Sequence, residues 1–416
     1  MADMVRDTPR LGWLDGLRGL AAMQVVLLHY VFAFLPGLGE TYPLPLHDFW
    51  WRGLVTAPFV FLYDGTSAVY LFFIMSGVAL TLAFSARPFT FLPTVSRRVI
   101  RLGVPMAAAT VMAAALYALL PNAHAAAAAQ TGSPWLRGIG PGEISVASIV
   151  HQIVFEGLLS DFAGWSLLPG WISSRLTLAH SEHGFNPVLW TLHLEFCGSL
   201  LVMLLVALRA AASQMAYRVI CAILACSFVL SPLVLFIIGH VVVTHPRHTA
   251  TMKGQSVFGA AILGSGILLC SIPVVTPLSA LWYVLPPPPL GIQGDPTTLQ
   301  KMIGAVLVFG GVALLPVLQR QLQRPRIQWF GKISFSLYLV HFPLAATCVS
   351  AGFTVLASTL PYGAAVTVTA VAGIAASLAL AVLFERWIDR PAIMLSRMVG
   401  ASRRHFVPHA AASETA

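Results

Sequence analysis

The sequence predicts an all-α fold, a polytopic membrane bundle of about ten transmembrane helices with both termini cytoplasmic. Three observations predict it. Of the 416 residues, 57% are hydrophobic and only 9% charged, whereas soluble domains carry about a quarter charged residues. Apolar runs near 20 residues, the length that crosses a bilayer, recur along the chain. The net charge of +9 fits the excess of basic residues on the cytoplasmic side of membrane proteins, so nucleic acid is not an expected partner.

The candidate spans are 14–36, 63–86, 101–121, 188–208, 217–239, 255–272, 273–286, 301–319, 333–357 and 363–386. The shortest, 273–286, contains Pro273 and Pro277 and ends at the proline run Pro286–Pro289, where a loop must begin. With ten spans and a cytoplasmic N-terminus, 18 Lys and Arg fall inside and 6 outside. Merging 255–286 into one span would put the basic clusters at 320–332 and 386–404 outside, against that bias.

The first apolar run holds Asp15 and Arg18 and lacks a small-residue cleavage site before Tyr30, so it reads as a retained span rather than a signal peptide. Residues 1–395 form one membrane domain with a long external segment, 122–187, that could hold a re-entrant or interfacial helix. Residues 396–416 read as a disordered cytoplasmic tail. No soluble catalytic domain follows Pro391, so any chemistry belongs to the membrane part.

Arg18 and His29 are eleven residues apart in the first span. On a helix that is three turns, so they share a face about 16 Å apart. Ionisable groups inside a span are functional candidates by default. The second span carries Ser76-Gly77, small residues that permit close backbone approach. Arg97, Arg98 and Arg101 open the third span, where guanidinium forks and a helix N-terminus would suit phosphate. Glu195 lies five residues into the fourth span, beyond Trp190, and needs a partner from another helix. His341 lies about ten residues past Gly331 in the ninth, beyond Tyr338. Glu385 and Asp389-Arg390 end the tenth, where a local salt bridge is the simplest reading.

The five cysteines lack CxxC spacing and read as small buried hydrophobes. His180, His183, His240, His245 and His248 match no closed metal site, so no metal is expected.

In order, LDGLRGLAAMQVVLLHY (14–30), LFFIMSGVAL (71–80), RRVIRLGVP (97–105), LWTLHLEF (189–196), GKISFSLYLVHFPL (331–344) and DRP (389–391) resemble the acyltransferase-3 family of integral membrane acyltransferases. Phe335, Cys197-Gly198 and Asp389 depart from the usual family residues. The resemblance implies transfer of an acetyl or other short acyl group from cytoplasmic acyl-CoA to a hydroxyl of a glycan, lipid-linked sugar or exported small molecule. It implies Arg18 and His29 as the essential pair, with Glu195 and His341 as further site candidates, and a carboxylate such as Glu195 could orient the imidazole. Arg97, Arg98 and Arg101, with Ser76, would form the acyl-CoA side, and His341, Tyr338 and Trp190 the acceptor side. An integral, multi-pass membrane location follows, in the cytoplasmic (inner) membrane if the source is bacterial. His29 could act as general base or as an acyl-accepting nucleophile. The rival expectation is a proton-coupled transporter or flippase using His29 and Glu195 without covalent chemistry.

Overall fold

The computed structural model describes residues 11–40, 59–86, 90–160, 184–245, 254–272, 276–288 and 296–401. The helices are α1 (Gly12–Phe34), α2 (Gly65–Ser85), α3 (Phe91–Leu119), α4 (Ala123–Thr131), α5 (Pro134–Gly138), α6 (Val146–Val154) and α7 (Trp190–Ala211). They continue as α8 (Gln214–Ser227), α9 (Leu233–Thr244), α10 (Gln255–Ser271), α11 (Thr276–Val284), α12 (Thr298–Leu314), α13 (Pro316–Leu322), α14 (Pro325–Leu344), α15 (Ser350–Ala357), α16 (Tyr362–Phe384) and α17 (Arg390–Ala401). Among the described residues the regular structure is helical, with no β-strand.

Among the described residues six helical segments are long and apolar enough to cross a bilayer: 12–34, 65–85, 91–119, 187–211, 325–357 and 362–399. Proline accounts for most of the difference from ten. The segment expected at 301–319 breaks between α12 and α13, which meet at 95°. Leu315 precedes Pro316 and takes an extended backbone (φ −109°, ψ 91°), because the proline ring disfavours the helical conformation in the preceding residue. The segment expected at 217–239 is two short helices, α8 and α9, separated by the turn around Ser231-Pro232. Of 273–286, nine residues form α11, while 273–275 lie outside the described residues.

In 122–187 the described part holds α4, α5 and α6. Ser145 and Ser148 close a reciprocal capping box at the start of α6. Its Val146, Val150 and Val154 form an exposed apolar stripe, the pattern of a helix lying on an interface. The expected tail, 396–416, is helical to Ala401, and the rest lies outside the described residues.

The centre of the bundle is α2, with 72% of its most apolar window buried, against 28% for the 362–399 segment at the periphery. It packs on α1, α7, α9 and α12. At Gly77 a Cβ would lie 2.5 Å from Phe236 O on α9, so the small-residue approach expected there is used. Helix α1 crosses α14 as closely: a Cβ on Gly19 would sit 2.5 Å from Gly331 N. That crossing sets the α1–α14 separation on which the site depends.

Candidate active site

About two and three turns beyond the Gly331 crossing, α14 brings Tyr338 and His341 inward, and both are buried. His341 Nδ1–H donates to Leu337 O at 2.9 Å, since a carbonyl can only accept. In the neutral ring Nε2 is then an acceptor, and it lies 3.0 Å from His29 Nδ1. His29 Nδ1 also lies 2.9 Å from Val25 O. Both neighbours accept, so the hydrogen sits on His29 Nδ1 and Nε2 carries the free lone pair. That assignment follows from the bonding partners.

Pro343 explains how α14 is held. It has no N–H to give to Leu339 O four residues back, and Asn186 Nδ2 donates there instead, at 2.8 Å. Tyr338 OH donates to Val188 O (2.9 Å) and accepts from Thr191 Oγ1 (3.0 Å). The start of α7 is thereby tied to the turn of α14 that carries His341.

His29 lines a chamber of about 390 Å³ together with Trp135, Trp190, Tyr338 and Phe342. The Trp135 ring centroid lies 5.3 Å from that of His29. Ser133 places it: its hydroxyl donates to Phe32 O at 2.6 Å and accepts from Leu136 N–H at 3.1 Å. One side chain therefore caps α5 and pins it to the end of α1.

A second chamber, of about 150 Å³, is lined by Arg18, Ser76, Arg98, Arg101, Glu195 and Tyr338, with Phe72, Phe73 and Ser334. Val69 and Tyr338 line both chambers, so the two adjoin there. Arg98 pairs with Glu195, and its Nε donates to Ser199 Oγ at 2.7 Å. Arg101 pairs with Asp389 and lies over the Phe335 ring, 4.9 Å from its centroid. Arg18 makes no ion pair among the described residues, so the chamber keeps a cationic balance that suits an anionic ligand.

Several expectations are corrected. Glu195 is bound by Arg98, and the contact expected from it on the His29 ring is made by His341. His341 does not line the chamber; it is fully buried and bonded to His29. Arg97 is absent from the basic chamber's lining, and its Nε is buried without a hydrogen-bond partner among the described residues. Glu385 does pair locally with Arg390, at 2.6 Å, but Asp389 reaches across to α3. A π-turn over Glu385–Asp389 buries both carboxylates.

Arg18, His29, Ser76, Arg98, Arg101, Glu195, Trp190 and Tyr338 all stand on one of the two chambers. Trp135 and Asn186 were missed. Ser133-Pro134-Trp135 is a readable helix start, cap followed by proline, whereas nothing local marks Asn186. No group of three metal-ligating side chains occurs among the described residues. His180, His183 and His248 lie outside them, and His240 is bonded to Thr81 and Tyr217.

Comparison with known proteins identifies the family. Residues 11–386 match the family model described as an acyltransferase domain. The chain is 26% identical over 381 residues to O-acetyltransferase PaAT-1 of Phomopsis amygdali, covering 80% of this chain and 72% of that protein. No solved structure matches. The match runs through every helix that builds the two chambers, and the chain belongs to the acyltransferase-3 family of membrane O-acyltransferases.

Proposed function

We propose that the protein transfers an acetyl or other short acyl group from acyl-CoA to a hydroxyl of a glycan, lipid-linked sugar or exported small molecule, with His29 as general base. The observation that carries this is the free Nε2 of His29, on a chamber that adjoins a separate cationic one. The relative acting as an O-acetyltransferase supports the reaction class. The proton-relay alternative has no comparable support, because Glu195 is occupied by Arg98.

The basic chamber is the donor side. Arg18, Arg98 and Arg101 present guanidinium groups suited to phosphate oxygens, and the donor supplies a thioester. Thr66, Val69, Phe73 and Ser76 line the chambers from one face of α2. Their ten-residue extent is about 15 Å of helix, comparable with a pantetheine arm.

His29 Nε2 accepts the proton of the acceptor hydroxyl. The oxygen–acyl carbon bond forms, the carbon–sulfur bond breaks, and the imidazolium returns the proton to the departing thiolate. Two adjoining chambers can hold donor and acceptor at once, which favours direct transfer over an acyl-histidine. We place both termini on the cytoplasmic side and read the ten apolar segments as spans. Arg18, Arg98 and Arg101 then face the cytosol, in a bacterium across its inner membrane.

The test is acetyl-CoA turnover by protein in lipid nanodiscs, with His29→Ala beside wild type. A loss of about 10²–10⁴-fold in kcat is expected. Intersecting initial-velocity lines would accompany direct transfer. Normal turnover in His29→Ala would remove the base, and parallel lines would replace direct transfer with a covalent intermediate.

A further inference from the structure

A third chamber of about 260 Å³ adjoins the His29 chamber, and the reaction described above makes no use of it. Leu28 and Thr66 line both. The remaining wall includes Phe32, Tyr63, Asp64, Gln300 and Lys301. The chamber wall therefore combines charged and polar groups with two aromatic rings. The paired chambers fall in the usual range for small-molecule sites, roughly 300–1,000 Å³.

Asp64 is the anomaly. Its Oδ1 accepts from Lys301 Nζ at 2.6 Å and from Ser67 N–H at 3.3 Å, capping α2. The Asp64 side chain is 1% exposed and that of Lys301 10%. Oδ2 is buried with no hydrogen-bond partner among the described residues. A buried carboxylate oxygen without a donor is costly. A buried ion pair also adds little stability over a well-packed apolar pair, so fold stability does not account for this one. An ionised carboxylate can only accept, so what completes Oδ2 must donate.

We propose that this chamber is the acceptor-recognition subsite and takes a polyol portion of the acceptor. One hydroxyl donates to Asp64 Oδ2, and the ring's C–H face lies against Phe32 or Tyr63. A different hydroxyl of the same molecule extends past Leu28 and Thr66 to His29. A monohydric alcohol could occupy the His29 chamber but would leave Oδ2 unsatisfied. The subsite thus selects acceptors by their second hydroxyl. The proposal rests on the reading of the His29 chamber as the acceptor side.

The test is saturation-transfer NMR on the full chain in nanodiscs, with methyl β-glucoside as polyol probe and 1-butanol as monohydric probe. Methyl glucoside is expected to bind wild type and to bind Asp64→Asn at least about tenfold more weakly, the usual effect of losing a bond to a charged group. Butanol is expected to be indifferent to Asp64→Asn. That variant also breaks the Asp64–Lys301 ion pair, so Thr66→Val, which keeps shape and ion pair, is the second. It is expected to weaken glucoside binding about threefold, and it decides the matter if Asp64→Asn does not fold. Glucoside binding unchanged in both variants, or absent from wild type, overturns the subsite. Acetyl-CoA turnover that survives His29→Ala while glucoside binding behaves as stated overturns the catalytic reading and leaves the subsite standing.

Discussion

Because Leu337 O takes the Nδ1 proton of His341, that ring can only accept at Nε2, and together with Val25 O it holds the His29 ring and its tautomer. His341 is thus a positioning residue. His341→Ala is expected to lower kcat about 10–100-fold with little change in either KM, and His341→Gln, whose amide oxygen can still accept, to recover part of the loss. Equal damage from both would mean that only packing was removed. At Arg98 the expected effect is on stability. Arg98→Ala strands Glu195, and because each partner keeps 17% of its side chain exposed, the cost is roughly 2–3 kcal/mol, at or below the low end for a buried pair. Adding Glu195→Gln should restore much of the melting temperature but not the donor KM. Arg18, His29, Glu195 and His341 were each legible because an ionisable group in an apolar run is expensive. Their partners were not, since the His29–His341 contact joins residues 312 apart and the Arg98–Glu195 pair residues 97 apart, and no local rule selects among candidate partners.

Among the elements, the α1–α14 crossing carries the most consequence. Gly19→Val would drive a side chain into the backbone at Phe330–Gly331 and is expected to cost about 1–3 kcal/mol by overpacking. It should also separate His29 from His341, so kcat should fall further than stability accounts for. Gly352→Ala, where a Cβ meets nothing within 4 Å, is the matched control for melting temperature and turnover. Element positions were readable from apolar runs, since burial in lipid or protein demands them. The breaks at Pro232 and Pro316 were written in the sequence but outweighed by the length of the surrounding runs. The π-turns at Ala345–Val349 and Glu385–Asp389 had no such signal. They are a slip of one hydrogen bond, which composition does not record.

For the whole molecule, the expected bias of basic residues has a second meaning, because three of them converge on one chamber. The donor KM should therefore rise with ionic strength through screening, while the acceptor KM stays level; a flat donor response would remove the arginines from donor binding. The chambers themselves were not legible, since each is assembled from helices far apart in the chain. Their sequence also has a consequence for the membrane. The His29 chamber meets the arginine-lined one at Val69 and the tethered ring of Tyr338. On the proposed topology an enzyme open to both compartments would short-circuit the proton gradient, and we propose that this pair serves as a seal as well as a wall. Vesicles carrying Val69→Gly should leak protons that wild-type vesicles retain.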